Sequence, residues 1–383
     1  MLWLKIAIPI ALACGYILSW RLWLSSRIFP LSPLTDFLPT IPYPLDLIWL
    51  FVLLCLLASI ILVARSQKLI FIFLLLAGLQ SLGDQTRWQP WFYQYFLMLA
   101  VIGFYAWKKP EKRYQAAALN ICRLIVVFTY VWSGLQKLNV NFIRETWPDI
   151  AGPFLRWVPE AARNIPAPLI LMIPVLEILT GLGLITRKFR NAAVLLASAT
   201  HIFVLALLIS SGENRVVWPW NVVMVLFVVL LFWQDQETTA GNILRPRSGL
   251  HATALLLCAV LPALSLVDLW DSYLSAALYS GNTHQAVILV SPAVIERLPP
   301  AVRPHVWQES KPFFLDINRW AYGELNTPVY PEPRVYRAVA RRICAYADNS
   351  PDIKLLIRGK PNPFNGQRQS AYYDCDHLAS DER

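Results

Sequence analysis

Five ionisable side chains stand where the sequence is otherwise apolar: Arg21, Arg123, Lys137, Glu177 and His201. Such groups cost roughly 2.5–3.5 kcal/mol each inside a bilayer, so each needs a reason to be there. Arg21 ends its apolar run and can snorkel to the headgroups. The stretch NICRLIVVFTYVWSGLQKLN places Arg123, Tyr130 and Lys137 seven residues apart, on one helix face. Ser133 and Gly134 lie one turn before Lys137, where small residues admit a neighbouring helix or a ligand. Lys137 is open to two readings. It snorkels, or it sits in a partly dry pocket that favours the neutral amine, the form able to act as a base. Glu177 sits in the middle of LILMIPVLEILTGLGLIT and must find a partner or stay protonated. Pro174 can kink that helix, and Gly181 and Gly183 allow close packing. His201 is central in NAAVLLASATHIFVLALLIS, either as a hydrogen-bonded core residue or as part of a proton route. Trp218, Pro219 and Asn221 open a further apolar stretch, VVWPWN.

These residues need membrane helices to position them. Of the 383 residues, 56% are hydrophobic and only 15% charged, with a formal charge of +10. A soluble domain carries about 25% charged residues. Disorder, a collagen-like fibre and a small disulfide scaffold are excluded, and an ordinary soluble enzyme is disfavoured. Nine apolar runs read as spans: 2–24, 45–64, 69–83, 91–107, 115–138, 168–186, 191–210, 217–234 and 252–267. The fold class is mainly α: a polytopic membrane helical bundle (1–267) with a small C-terminal extracytoplasmic α/β domain (268–383). Residues 1–267 hold 21 Lys+Arg against 11 Asp+Glu, while 268–383 hold 13 of each. Alternate loops with Lys5 carry 12 basic residues, including Lys108, Lys109, Arg187 and Arg190; the other loops carry six. The positive-inside rule then puts the N-terminus in the cytoplasm and the tail outside it. The charge reports orientation, and nucleic acid is not expected as a partner.

The sixth and seventh spans are antiparallel across a short RKFR turn, so Glu177 and His201 lie at similar depth and are expected to pair. Lys137 and Asn221 are expected near the outer leaflet. One cavity would join them, with Lys137, Glu177 and His201 as catalytic residues and Arg123, Tyr130, Ser133, Trp218 and Asn221 as ligand-binding residues. Residues 139–167 read as a loop with an amphipathic segment in the interface. In the tail, 285–290 and 352–358 are strand candidates and 332–346 an amphipathic helix. Cys344 and Cys375 are the tail's two cysteines, and an oxidising compartment permits a disulfide between them. Cys14, Cys55, Cys122 and Cys258 read as small apolar residues. The sequence has no C-x-x-C, no H-E-x-x-H and no phosphate-binding loop, and no metal is expected.

The segment YVWSGLQKLNVNF (130–142) resembles the signature of vitamin K-dependent γ-carboxylases and their bacterial HTTM-domain relatives. The stretch 175–203, with its acidic residue, basic turn and membrane histidine, resembles the same family. The resemblance covers about 115–235. These pieces are also similar to the DoxX group of quinone-linked membrane subunits. The resemblance implies a vitamin K-like quinone or hydroquinone as cofactor and Lys137 as the base acting on it. His201 matches a family histidine. Gln136 stands where the family often has a second lysine, and the tail is far smaller than the carboxylases' lumenal region. Quinol chemistry is therefore the better-retained expectation than protein-glutamate carboxylation. The alternatives are a DoxX-like redox subunit and a non-enzymatic transporter or assembly protein. The expected partners are the lipid bilayer, a quinone and an extracytoplasmic protein or small molecule.

Overall fold

The computed structural model describes residues 1–35, 37–38, 40–107, 111–308 and 312–380, with backbone alone at 106 and 107. Lys108 and Lys109 lie outside the described residues. Helices occupy each expected apolar run: α1 (Leu2–Leu18), α2 (Leu45–Leu62), α3 (Gln67–Leu82), α4 (Pro90–Trp107), α5 (Lys112–Lys137), α7 (Ala167–Ile185), α8 (Arg190–Ser211), α9 (Val217–Phe232) and a last segment over Gly249–Val267. A short helix, α6 (Trp147–Leu155), lies in the long loop after α5. Among the described residues, five helical segments are long and apolar enough to cross a membrane: Leu45–Leu62, Lys112–Lys137, Ala167–Ile185, Arg187–Ser211 and Gly249–Val267. Leu2–Leu18, Gln67–Leu82 and Val217–Phe232 are apolar but shorter. The chain is thus a helical, multi-pass membrane protein. The first helix stops at Leu18, short of the expected 24, and gives way to a 3-10 turn over Trp20–Trp23.

Glycine decides which helices come closest. A Cβ on Gly134 of α5 would lie 2.5 Å from the Pro174 carbonyl oxygen of α7, and one on Gly181 of α7 would lie 2.6 Å from Val131 Cγ2. The two backbones therefore meet where only hydrogen fits, as in small-residue helix packing. Trp91 is fully buried, its ring filling the space that a Gly15 side chain would take.

Among the described residues, the tail holds a five-stranded antiparallel sheet of order β2-β3-β1-β4-β5. Its strands are β1 (Gln285–Val290), β2 (Val306–Trp307), β3 (Phe314–Asp316), β4 (Ile353–Arg358) and β5 (Ser370–Asp374). Helix Pro333–Cys344 packs on β4 and buries Val335, Val339 and Ile343 along one face. Cys344 and Cys375 are bonded, with Cα atoms 5.7 Å apart.

The tail is bolted to the bundle by polar contacts. Asn139 Nδ2 donates to the Ser280 carbonyl (2.8 Å), Asn282 Nδ2 to Gln136 Oε1 (2.6 Å) and Lys360 Nζ to the Ser265 carbonyl (2.5 Å). Gly281 sits at φ +71, and a Cβ there would lie 2.8 Å from the Phe142 backbone nitrogen. At this junction His284 Nε2 is 3.3 Å from Asp268 Oδ1. Burial pulls the imidazole below its ordinary pKa, and Asp268 offsets this only in part.

Two outcomes follow from this packing. Gly134→Ala should lower the unfolding temperature in detergent, at a cost of about 1–3 kcal/mol from overpacking. Gly152→Ala, where a Cβ meets nothing within 4 Å, should not; equal effects would contradict the close approach. Because the His284 pKa is depressed, its contribution to stability is present above about pH 6.5 and lost as the pH falls through the folded value. Unfolding temperatures measured from pH 8 to 5 should fall more steeply for wild type than for His284→Gln. Parallel curves would contradict that role.

Candidate functional site

Close packing of α5 on α7 brings two buried charged residues, Lys137 and Glu177, into contact. Lys137 ends α5, and Glu177 lies ten residues into α7. Lys137 Nζ is 2.7 Å from Glu177 Oε2, 3.0 Å from Oε1 and 2.5 Å from Ser133 Oγ. All three ammonium protons can be engaged in these contacts. The residues are only 9% and 8% exposed, so neither charge has water as an alternative partner.

A second polar chain lines the same cavity as the first. His201 Nδ1 is 2.8 Å from Asn221 Oδ1, and Asn221 Nδ2 donates to the Val217 carbonyl at 2.8 Å. The backbone bond fixes the Asn221 amide with its oxygen toward the histidine. An amide oxygen only accepts, so His201 carries its proton on Nδ1 and presents Nε2 as an acceptor. Tyr130 hydroxyl, 2.7 Å from Nε2, is therefore the donor. Its oxygen keeps acceptor capacity for a ligand.

The cavity between these chains has a volume of about 130 Å³. A dry cavity of about 150 Å³ admits a benzene-sized molecule, so this one suits a single ring. Tyr130, Ser133, Lys137, Glu177, His201 and Asn221 supply its polar lining. Phe203, Val204, Leu207 and Met224 supply apolar wall. Phe142 and Trp147, from the loop after α5, and Leu278 and Tyr279, from the start of the tail, close it at the tail end. Tyr279 hydroxyl accepts from Asn214 Nδ2 at 2.6 Å. Tyr130 and Lys137 are separated by about 10 Å along α5.

Three expectations need correction. Glu177 pairs with Lys137 and not with His201, because Gly134 and Gly181 draw α5, rather than α8, against the acidic face of α7. Arg123 does not line the cavity. Its guanidinium reaches Asp235 at 2.8 Å, beside Arg190 at 3.8 Å from the same carboxylate. Arg123 lies 14 residues from Lys137, about 21 Å along the helix, at the end of the bundle away from the tail. Trp218 is replaced in the lining by Trp220. The cavity face of α9 is Val217, Trp220, Asn221 and Met224, and at 100° per residue Trp218 falls to its side.

The sequence reading also missed Gln94 and Thr129. Trp220 Nε1 donates to Gln94 Oε1 (2.7 Å), whose Nε2 donates to Thr129 Oγ1 (3.3 Å). The glutamine in an apolar helix was the available signal. Among the described residues, no group of three or more His, Cys, Asp or Glu gathers that could hold a metal ion.

The buried pair makes a stability prediction. Removing one partner strands the other charge, at about 3–5 kcal/mol. Lys137→Met and Glu177→Leu should each destabilise the protein strongly, and the double variant should be more stable than either. A double variant as unstable as the summed singles, in detergent unfolding, would contradict the pairing.

No protein-family model, curated protein or solved structure matches the chain.

Proposed function

We propose that this protein is a membrane enzyme that performs proton-coupled chemistry on a quinol, with Lys137 as the base. The observation that carries the reading is one ring-sized cavity lined by both the Lys137–Glu177 pair and the Tyr130–His201 pair. The resemblance of 130–142 and 175–203 to vitamin K-dependent carboxylases and HTTM-domain proteins supports it. A packing-only role for the intramembrane charges would need the Lys137–Glu177 pair but not the cavity that both residues line, and that cavity favours the enzyme reading.

The residues present fit such a ring. The cavity is mostly apolar, with polar groups at both ends, as small-molecule sites usually are. Lys137, Ser133 and Glu177 would hold one ring oxygen, and Tyr130 would meet the other. A quinol supplies two ionisable hydroxyls and two electrons. Lys137 and Glu177 together can hold their shared proton in two ways, as ammonium with carboxylate or as amine with carboxylic acid. Both have the same net charge, so moving the proton within the pair leaves no uncompensated charge in the apolar cavity. In the second form the Lys137 amine can accept a proton at Nζ. At the opposite wall His201 Nε2 can take the Tyr130 proton, with Asn221 Oδ1 steadying the imidazolium through Nδ1.

Nine spans, a cytoplasmic N-terminus and an extracytoplasmic tail form part of the proposal. The imbalance of basic residues between alternate loops supports this orientation. The Cys344–Cys375 bond supports an oxidising compartment for the tail. A tail there would present or receive a second substrate close to the cavity that Tyr279 helps to close.

The test is quinol-dependent oxygen uptake by the purified protein in lipid nanodiscs. Wild type should consume oxygen with a benzoquinol, whose single ring the cavity fits, and Lys137→Ala should lose at least about 100-fold in rate, the usual scale for a general base. No wild-type uptake with naphthoquinol, benzoquinol or menaquinol would overturn the reading. Benzoquinone binding without oxygen uptake would favour a DoxX-like electron-transfer subunit instead.

A further inference from the structure

The hairpin of α7 and α8 carries an open groove on its outer face, next to the turn that joins the two helices. The groove has a volume of about 290 Å³ and is walled by Leu179 and Leu182 of α7 and by Phe189 and Leu196 at the start of α8. Leu179, Leu182 and Phe189 are about half exposed. Gly183 and Ala193 lie between these walls, and a Cβ on Gly183 would be 2.8 Å from the Ala193 Cβ, so the helices meet there. Among the described residues, Thr186 is the one polar side chain of the lining, and its hydroxyl already donates to the Leu182 carbonyl at 2.9 Å. The groove therefore offers hydrocarbon a wall with no polar side chain left to hydrate.

Positive charge stands at the turn end of the same groove. Lys188 Nζ is 5.6 Å from the centre of the Phe189 ring, which is part of the groove wall. Arg187 is held at the turn by its own bonds: Nη2 donates to the Glu237 carbonyl at 2.6 Å and Nε to the Thr238 carbonyl at 3.4 Å. Asp235, a carboxylate of the same region, is shared by Arg123 and Arg190. Among the described residues, neither Lys188 nor Arg187 forms an ion pair with a carboxylate.

We infer that this groove binds one anionic phospholipid, with an acyl chain between α7 and α8 and the phosphate at Lys188. The inference stands apart from the quinol reading, and either can fail without the other. From Thr186 to Leu179 the groove runs about 10 Å along α7, away from the turn and into the apolar part of the hairpin. An acyl chain leaves its headgroup in the same direction. The unpaired charge at the turn selects the headgroup. A lipid with net negative charge balances Lys188 and Arg187, whereas a zwitterionic one brings its own cation to the same place. A second copy of this chain fits less well. Two copies lie in the bilayer with the same orientation, so a two-fold contact through this groove would set basic turn against basic turn.

The test is lipid binding to the delipidated protein by native mass spectrometry, with dipalmitoyl phosphatidylglycerol and dipalmitoyl phosphatidylcholine as probes. Wild type should bind its first phosphatidylglycerol at least about fivefold more tightly than phosphatidylcholine, the scale of one basic residue at an anionic headgroup. Lys188→Gln should bring phosphatidylglycerol down to the phosphatidylcholine affinity. Ala192 is exposed and lines the groove, so Ala192→Phe fills it from the lipid side without entering the bundle. That variant should weaken both lipids at least about fivefold. Lys68→Gln, at an exposed basic residue of the α2–α3 turn, should leave the phosphatidylglycerol affinity within about twofold of wild type. Equal affinities of wild type for the two lipids would overturn the site. So would a preference that survives Lys188→Gln, one that Lys68→Gln removes equally, or binding that Ala192→Phe leaves unchanged.

Discussion

A single contact organises this protein: the ion pair of Lys137 and Glu177, buried between two helices at 2.7 Å. Two opposite charges far from water demand each other, and breaking one leaves the other unsolvated. The pair exists only because α5 and α7 approach to backbone contact at Gly134 and Gly181. It also sets where the cavity lies, because Ser133 and Tyr130 share the face of Lys137 and His201 of α8 then completes the opposite wall. The glycines, the pair and the cavity are thus successive consequences of one helix–helix contact.

The tail depends on the same region. Gln136 and Asn139, immediately beside Lys137, hold Asn282 and the Ser280 carbonyl. The segment from Ala276 to Gly281 crosses the cavity mouth with positive φ at Ala276, Tyr279 and Gly281. Left-handed backbone at two non-glycine residues costs about 1–3 kcal/mol each and persists where surrounding contacts overdetermine it. Here those contacts are Tyr279 with Asn214, and Arg368 with the carbonyls of Gly281 and Thr283. The tail therefore does more than decorate the bundle: it finishes the cavity wall.

Much of this was legible from residue order. Apolar runs located the helices because a membrane segment must be apolar along its length, and the expense of intramembrane charge singled out Lys137, Glu177 and His201. The partner of Glu177 was misread for a physical reason. Sequence adjacency places α8 beside α7, but the closest approach is set by hydrogen-only contacts, and the small residues at 133 and 134 announce a close neighbour without saying which helix it is. Trp218 and Trp220 differ by 200° around α9, and no single sequence says which faces inward. In the tail, β1 and β4 stood out as apolar runs. β2 and β3 are two and three residues long, and β5 is largely exposed, so none shows a pattern.

The central claim is that the space between Lys137–Glu177 and Tyr130–His201 holds a quinone ring. The most direct measurement is the quinone content of the protein purified in mild detergent, by solvent extraction and ultraviolet spectra, beside Lys137→Ala prepared identically. The account predicts about one quinone per wild-type chain and a several-fold lower content in the variant, since one anchoring group is lost. An equal content in the two proteins, or none in wild type even after incubation with excess quinone, would contradict it.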